Sequence, residues 1–405
     1  MRKSVAAATP PAAEAVEASR RASITLYVII TFLFWASLYV YVPTLATYAQ
    51  SKTASLALVG VALSMYGLWQ AILRLPVGIA SDWIGRRKPF ILGGLVLAGV
   101  GAVLMAFAGR IDGIIVGRAV TGLAAATWVP LVVIFSALFP PHEAVRASAI
   151  LTLVSSLGRV AATAITGSLN GVGGYGLAFF LAAALAGLAI IVTLLTREQR
   201  LPRKRQSAAG IRRLITRRDV LLPAVLAAIS QYASYATTYG FLTILAKQMG
   251  ATDGALSALV TLNLVFYSCG NLLATAIVSR IGARALVYLS FVTLAAGVVV
   301  AAIGQAMSAI FASQVLLGVG LGIAYPVLMG MSIEYVSDAE RATAMGLHQS
   351  VYAIGMFAGP WLSGILAASM GIRPMFGVTA FACLALGLAG AHWLVAGPGK
   401  TRKES

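Results

Sequence analysis

The chain has 405 residues, of which 60% are hydrophobic and only 10% are charged, and its mean hydropathy is +0.90. Soluble globular domains carry roughly a quarter charged residues, so a soluble enzyme, a nucleic-acid-binding protein and a disordered chain are excluded. The composition predicts a polytopic membrane protein. Because one span with its loop needs roughly 30–35 residues, the length has room for about twelve spans.

Twelve apolar runs, separated by charged residues or by Gly and Pro, predict an all-α membrane protein. In chain order the runs cover residues 24–48, 56–80, 89–108, 113–138, 145–168, 176–196, 220–246, 255–278, 285–305, 309–335, 343–369 and 375–396. The first run is too long for the apolar part of a signal peptide and has no convincing cleavage site before it. We therefore expect it to remain as a transmembrane helix.

The positions of Lys and Arg predict the orientation of these helices. With the N-terminus inside, 23 basic residues fall on the cytoplasmic side, 4 on the opposite side and 3 within helices. By the positive-inside rule, both termini are expected in the cytoplasm, with the helices in a bacterial inner membrane. The formal net charge of +18 then favours contact with anionic lipid headgroups and not with nucleic acid.

One long polar segment separates two halves of six helices each. The expected segments are a tail 1–23, an N-terminal bundle 24–196, a basic solvated linker 197–219, a C-terminal bundle 220–396 and a tail 397–405. We expect the linker arginines to contact acidic headgroups.

The two halves repeat each other in sequence. A shift of 197 residues places Gly158 on Gly355 and the loop Ile84-Gly85-Arg86-Arg87 on Ile281-Gly282-Ala283-Arg284. The same shift takes Gly167 to Gly364, and a shift of 196 takes Gly122 to Gly318 and Pro130 to Pro326. An even number of helices in each half predicts parallel repeats about an axis along the membrane normal, with a binding site between them at mid-membrane.

The loop after the second predicted helix carries the most specific pattern. Residues 78–88, GIASDWIGRRK, resemble the signature loop of the major facilitator superfamily, G-x-x-x-D-R-x-G-R-R-K, with Trp83 where an arginine is usual. The resemblance extends over essentially the whole chain and implies two pseudo-symmetric halves that alternate access to a site between them. It also implies that this loop latches the halves together in the outward-open state through Gly78, Asp82, Gly85, Arg86 and Arg87.

Three further patterns bear on the transported solute. Arg118 to Gly122 resembles the R-x-x-x-G element of many proton-coupled members. Drug antiporters of the superfamily carry a Gly-Pro pair in the fifth helix, whereas here Gly359-Pro360 lies in the eleventh. Arg74 with Pro76 resembles the second-helix arginine of nitrate and nitrite porters. The glycine-rich signatures of those porters are missing, so nitrate itself is not expected.

Three arginines, Arg74, Arg118 and Arg159, fall inside predicted helices, where a charge costs at least about 2.5–3.5 kcal/mol. All twelve acidic residues can be placed at helix ends or in loops, so no carboxylate shares the depth of these arginines. One interpretation is an anionic substrate held by guanidinium groups. The alternative is that each arginine bonds backbone carbonyls or an end carboxylate such as Glu334.

Polar residues in the C-terminal half complete the candidate site. The spacing of Tyr232, Tyr235 and Tyr239 beside Gln231 places three phenols on one helix face, which predicts a cavity wall, with an interfacial aromatic belt as the alternative. Asn263 and Tyr325, with Tyr39 from the first helix, are expected to face the same cavity. His348 is the histidine expected to titrate inside the membrane, and Glu334 is its candidate partner. The two form either a coupling site or a simple interhelical hydrogen bond.

The sequence therefore predicts a secondary transporter and not an enzyme. No G-x-x-x-x-G-K-[ST] run occurs, so an ion gradient or the gradient of the solute should supply the energy. The expected partners are a small-molecule solute, protons or another coupling ion, and membrane lipid, with no cofactor or metal, and a monomer suffices. A proton-coupled carrier of small organic anions is the first hypothesis, and a drug/proton antiporter is the alternative. A membrane-embedded enzyme or receptor is a third class, for which no catalytic constellation appears.

Overall fold

The computed structural model describes residues 10–140, 143–198, 208–337 and 340–394, and within these ranges the chain is α-helical without a β-strand. The predicted fold class is confirmed. Residues 1–9, the middle of the expected linker and the whole expected tail 397–405 lie outside the described residues. The predicted first helix is longer than expected because the Ala-rich segment before residue 24, rich in the best helix former, continues the same helix.

The N-terminal half contains six spans built from seven helices. These are α1 (Pro10–Tyr39), α2 (Val42–Gln50), α3 (Leu56–Ile84), α4 (Lys88–Ala106), α5 (Ile111–Ala126), α6 (Trp128–Ser136) and α7 (Ala144–Leu195). α1 and α2 form the first span, and α5 and α6 form the fourth. α7 holds both the fifth and the sixth, because Gly173 and Gly174 interrupt its helical dihedral angles. Gly174 has a φ of 65°, a conformation that favours glycine.

The C-terminal half begins with the short linker helix α8 and repeats this plan. Its elements are α8 (Ala208–Thr216), α9 (Arg218–Ala236), a π-helical turn (Thr237–Phe241), α10 (Leu242–Gln248), α11 (Asp253–Ile281), α12 (Ala283–Ile303), α13 (Met307–Ile333), α14 (Arg341–Met370) and α15 (Ile372–Trp393). The seventh span consists of α9, the π-helical turn and α10. In the described part of the chain, eleven helical stretches are long and apolar enough to cross a membrane, and one of them contains two spans.

Three spans are interrupted at points with a local cause. Pro43 lies in the first turn of α2, and Pro130 of α6 has no N–H to bond the carbonyl four residues earlier, so α5 ends just before it. Gly240 leaves the helical region inside the π-helical turn. Such turns are common where helices carry function, and all three interrupted spans contribute to the central cavity described below.

The internal repeat is visible in the packing within each half. Gly158 of α7 packs against the backbone of Phe32 in α1, and Gly355 of α14 packs against the backbone of Ala228 in α9. Both the glycines and their partners are related by shifts of 196 or 197 residues. Neither glycine leaves room for a β-carbon, so the same close helix crossing is built twice.

The contacts at the helix ends also repeat between the halves, but with a shift of 196 residues in place of the 197 used for this loop in the sequence. Lys88 Nζ donates to the carbonyls of Leu194 (3.1 Å) and Thr196 (2.6 Å) after the sixth span. Arg284 donates to the carbonyls that end α15, those of Ala391 (3.1 Å) and His392 (2.5 Å). In both halves a cation thus satisfies the free carbonyls at a helix C-terminus. By this shared contact the residue equivalent to Arg284 is Lys88 and not Arg87.

The two halves meet most closely on the side of the bundle opposite α8, here called the far side; the side that carries α8 is the linker side. Gly167 of α7 packs against Gly254 of α11, and Gly364 of α14 packs against Gly60 of α3. Three hydrogen bonds join α7 to α11 here: Thr261–Thr163 (2.9 Å), Gly167 N to Ser257 Oγ (2.6 Å) and Asn170 Nδ2 to Asp253 Oδ2 (2.9 Å). These contacts close the far side.

The linker helix α8 is docked on the C-terminal half, which corrects the expectation of a solvated segment for its described part. Leu214 is only 1% exposed, and it packs against Val220, Val336, Ala344 and Leu347. These residues belong to the linker-side ends of α9 and α14 and to the segment after α13. Full burial of a leucine side chain contributes about 1.5–3 kcal/mol, which favours docking of this short basic helix on the bundle.

Ion pairs reinforce this docking. Arg213 of α8 pairs with Glu340 at the start of α14, and this hydrogen bond lowers the pKa of the Glu340 carboxyl. Arg217 donates to Asp219 (2.5 Å) and to the carbonyl of Tyr335 (2.9 Å). The arginines that were expected to face lipid headgroups thus partly bind the protein itself.

We expect Gly364→Ala to destabilise the protein and Gly377→Ala to leave it as stable or slightly more stable. The added β-carbon at Gly364 meets the backbone of α3, and such overpacking typically costs about 1–3 kcal/mol. Gly377 of α15 has open space at this position, and alanine is the better helix former. Thermal unfolding in detergent measures both variants, and equal midpoints would contradict the close crossing.

We expect Leu214→Asp to detach α8 and Ile215→Asp to leave it docked. Leu214 is buried, whereas the neighbouring Ile215 is 46% exposed. Trypsin should then cleave after Arg212 and Arg213 at least about tenfold faster in the first variant, because local opening exposes the chain to the protease. Similar cleavage rates in the two variants would show that Leu214 does not hold the helix.

Candidate functional site

A central cavity of about 820 Å³, including the part open to solvent, lies between the two halves. Its wall comes from the first, second, fourth and fifth spans and from their counterparts, the seventh, eighth, tenth and eleventh. Nine aromatic side chains line it: Trp35, Tyr39, Tyr66, Trp128, Tyr235, Tyr239, Tyr267, Tyr325 and Tyr352. Among the described residues of this wall, Arg74 and Arg159 supply the only charges.

Arg159 of α7 projects into the central cavity. Its Nε donates to the carbonyl of Ser155 (3.2 Å) and its Nη2 to Ser156 Oγ (3.3 Å), both one turn earlier in the same helix. Three ring centroids surround the guanidinium carbon, those of Trp35 at 5.2 Å, Tyr39 at 5.7 Å and Tyr267 at 5.4 Å. The rings compensate part of the buried positive charge through cation–π attraction.

Arg74 of α3 lies at the edge of the same cavity and is only 2% exposed. Its Nη2 donates to Gln70 Oε1 (2.7 Å), and its Nη1 donates to Tyr352 Oη in α14. The second bond links the two halves. Arg74 also lines a second cavity of about 660 Å³, which borders Asp82 and the first turns of α14 on the linker side.

Arg118 of α5 does not share this site with the other two arginines, contrary to expectation. Its guanidinium carbon lies 4.3 Å from the ring centroid of Tyr66, in a separate cavity of about 340 Å³. Tyr39, Tyr66, Tyr235 and Tyr239 line both cavities and form a layer between them.

The seventh span contributes a different stripe from the predicted one. Gln231, Tyr235 and Tyr239 line the central cavity, whereas Tyr232 is half-buried and does not belong to the lining. Gln231 and Tyr235 lie one turn apart on the same face of α9, and Tyr239 follows inside the π-helical turn. The helical spacing of the three tyrosines in the sequence predicts Tyr232 in this wall in place of Gln231.

Of the other two predicted lining residues of the C-terminal half, one lies in the cavity wall and one does not. Tyr325 of α13 lies in the cavity wall, with its ring centroid 6.4 Å from that of Tyr267 and 6.1 Å from that of Tyr352. Asn263 of α11 instead donates to the carbonyl of Gln314 (3.1 Å) and does not line the cavity. The buried amide thus donates an interhelical hydrogen bond, while its Oδ1 has no hydrogen-bond partner among the described residues.

His348 of α14 is fully buried, but its partner is not Glu334. Its Nδ1 lies 2.7 Å from Ser332 Oγ, and this hydroxyl donates to the carbonyl of Val220 (3.0 Å). Because the serine has one proton and the carbonyl only accepts, Nδ1 is the donor to Ser332. The Nε2 atom then lacks a hydrogen-bond partner in the described part of the chain. Glu334 is exposed and accepts from Tyr335 (3.0 Å).

The loop predicted to latch the halves is held by an ion pair of its own. Asp82 Oδ1 lies 2.6 Å from Arg87 Nη2, and Arg87 is almost fully buried, whereas Arg86 is exposed. Gly85 ends α3 with a φ of 70°. Gly78 faces Val129 of α6. Asp82 is also in the wall of the linker-side cavity, opposite Thr343 and Gly346 of α14.

Several lining residues were not found from the sequence, although the repeat contained a signal for them. A shift of 196 takes Trp35 and Tyr39 to Gln231 and Tyr235, and a shift of 197 takes Gln70 to Tyr267 and Ser155 to Tyr352. All eight residues line the cavity. Applying the repeat offset to the stripe Tyr66, Gln70 and Arg74 of the second helix would have indicated Tyr267.

These features define a polytopic α-helical membrane protein whose two related halves enclose a cationic, aromatic cavity. The sequence profile of the Major Facilitator Superfamily matches residues 27–230 and 224–405. The chain belongs to this superfamily.

Comparisons with individual proteins agree with this assignment. The chain is 45% identical over 86 residues to the inner membrane transport protein YajR of Escherichia coli, a match that spans 21% of this chain and 19% of YajR. It is 22% identical over 354 residues to the MFS-type transporter MJ1560 of Methanocaldococcus jannaschii, covering 85% and 91% of the two chains. The chain is thus a multi-pass membrane protein with transporter relatives, and it is not an enzyme.

Solved structures share the fold at low sequence identity. A bacterial homologue of the human lysosomal transporter Spinster, in an inward-facing conformation, has a TM-score of 0.76 at 14% identity, covering 92% of this chain and 97% of that one. The nucleoside transporter NupG has a TM-score of 0.74 at 15% identity, covering 91% and 99%.

We expect Asp82→Asn to lower the free energy of unfolding by about 3 kcal/mol, because it leaves the buried Arg87 charge without its partner. Asp112→Asn is the matched control, since its pair with Arg110 (3.4 Å) has side chains 68% and 86% exposed. The control should change stability by less than about 0.5 kcal/mol. Denaturant unfolding in detergent checks both values, and an equal effect of the two variants would contradict the burial argument.

Proposed function

We propose that this protein is a secondary transporter that carries small organic anions across the bacterial inner membrane by alternating access of its two halves. One observation carries the proposal: the described wall of the central cavity holds two arginines and no acidic residue. In a low-dielectric cavity two guanidinium groups without a carboxylate partner in the described wall attract an anion and repel a cation. Carboxylate and phosphate groups match the guanidinium geometry.

The packing of the two halves supports a path from this cavity to the linker side. Gly167 with Gly254 and Gly60 with Gly364 bring the backbones together on the far side. On the linker side, Arg74 borders both the central cavity and the cavity next to Asp82. With the linker side in the cytoplasm, as the positive-inside rule predicts, this arrangement is inward-open. The latch of residues 78–88 is proposed to act in the opposite state.

Protons are the proposed coupling ion, and His348 is the proposed carrier of the proton. Its ring centroid lies 6.1 Å from that of Tyr352, which is the residue that accepts from Arg74. A proton added at the unpartnered Nε2 would place a second positive charge close to this inter-half bond. Coupling between proton and anion then requires no carboxylate, and Glu334 has no part in it.

The second candidate function is export of lipophilic or cationic drugs. The nine aromatic side chains of the cavity favour it, because aromatic faces bind both apolar groups and cations. The two arginines oppose the cationic compounds, so this candidate ranks below the first.

We expect Arg159→Gln to reduce anion transport at least about tenfold, since it removes charge-assisted hydrogen bonds to the substrate. Arg146→Gln is the control in the same helix, because Arg146 is exposed and does not line the cavity. The measurement is current and internal pH in proteoliposomes after addition of pooled organic anions or, separately, pooled cationic drugs. A response to cations alone, or undiminished anion transport by Arg159→Gln, would overturn the proposal.

A further inference from the structure

We infer that the transported anion is an aromatic monocarboxylate, with its carboxylate at Arg159 and its ring between two rows of aromatic side chains. The inference rests on the proposed function and names the substrate class for the same cavity.

The first row of rings runs along one side of the cavity. Its members are in sequential contact, with ring centroids 4.9–6.2 Å apart, in the order Trp128, Trp35, Tyr39, Tyr239 and Tyr235. Because α6 and α1 supply the first three and the seventh span supplies the last two, the row crosses from one half to the other.

The second row belongs to the C-terminal half. Tyr267, Tyr325 and Tyr352 follow one another with centroid separations of 6.4 and 6.1 Å. Arg159 contacts Trp35 and Tyr39 of the first row and Tyr267 of the second. The guanidinium therefore stands where the two rows meet, and a group bound to it has aromatic faces and edges on both sides.

The hydrogen bonds of Arg159 leave N–H groups for a ligand. Within the described residues, Nε donates to Ser155 and one N–H of Nη2 donates to Ser156 of the same helix, and the hydroxyls of Tyr39 and Tyr267 also lie within reach of the guanidinium. Because a guanidinium has five N–H groups, donors remain for a carboxylate. The three rings beside the guanidinium restrict the approach of bulky groups. A flat carboxylate attached to a flat ring meets both restrictions, and aromatic pairs gain attraction beyond simple area burial.

The second arginine does not offer an equivalent anchor. Arg74 already uses Nη1 for Tyr352 and Nη2 for Gln70. Its remaining atom, Nε, is buried and makes no hydrogen bond in the described structure. Arg74 is buried, whereas Arg159 is partly exposed to the cavity. With one accessible guanidinium among the described residues of the wall, a substrate with one carboxylate is favoured over one with two.

Calorimetric binding to the detergent-purified full chain tests the substrate class with benzoate, cyclohexanecarboxylate, benzylamine and phthalate. We expect benzoate to bind at least about tenfold more tightly than cyclohexanecarboxylate, which has the same charge and a similar size. Benzylamine and phthalate should bind more weakly than benzoate. Equal binding of the two monocarboxylates would overturn the aromatic inference and leave the anion proposal standing. Tighter binding of phthalate would overturn the single-carboxylate inference. Binding of none of the three anions would overturn both proposals.

Two variants test the position of the ring. Tyr267→Leu should abolish the preference for benzoate while the affinity for cyclohexanecarboxylate stays within about twofold, since the ring is removed and Arg159, the anchor of the carboxylate, is retained. Phe381→Leu is the control, because Phe381 is 74% exposed on α15 and away from the cavity. An unchanged preference in Tyr267→Leu would overturn the assignment of this ring to the substrate, even if benzoate binds.

Discussion

The contact of backbone on backbone at the far side is the constraint on which the rest of the structure depends. Gly60 against Gly364 and Gly167 against Gly254 let one helix of each half approach a helix of the other without intervening side chains. Between membrane helices, such close approach supplies the van der Waals attraction that the hydrophobic effect does not. Because the halves touch there, the space between them widens towards the linker side. The central cavity and its path past Arg74 follow from this geometry.

The chemistry of the cavity is asymmetric although its frame is symmetric. The repeat counterpart of Arg159 is Met356, and that of Arg74 is Asn271. The N-terminal half therefore supplies the charge, whereas Tyr267, Tyr325 and Tyr352 of the C-terminal half supply rings around it. Duplicated packing with unequal polar residues gives one half of the cavity wall the positive charge, since a charge at this depth persists only where partners offset its cost.

Outside the cavity, several basic residues bind helix-end carbonyls or carboxylates of the protein itself, which the net charge of the sequence does not reveal. Lys88 and Arg284 cap the last carbonyls of the sixth and twelfth spans. Arg87 neutralises Asp82 inside the loop, and Arg213 ties the linker helix to the start of α14. Helix ends and ion pairs thus bind part of the charge that the positive-inside pattern places on one side.

The sequence by itself determined the twelve spans, the repeat, the superfamily and the depth of Arg74 and Arg159, because length, apolar runs and local motifs are linear properties of the chain. Only the tertiary structure decided that Arg118 lies behind a layer of tyrosines and that Ser332 is the partner of His348. It also replaced Tyr232 by Gln231 in the cavity wall. Those outcomes depend on which helices pack together and on which face of each helix meets the other half, so no spacing within a single helix could predict them.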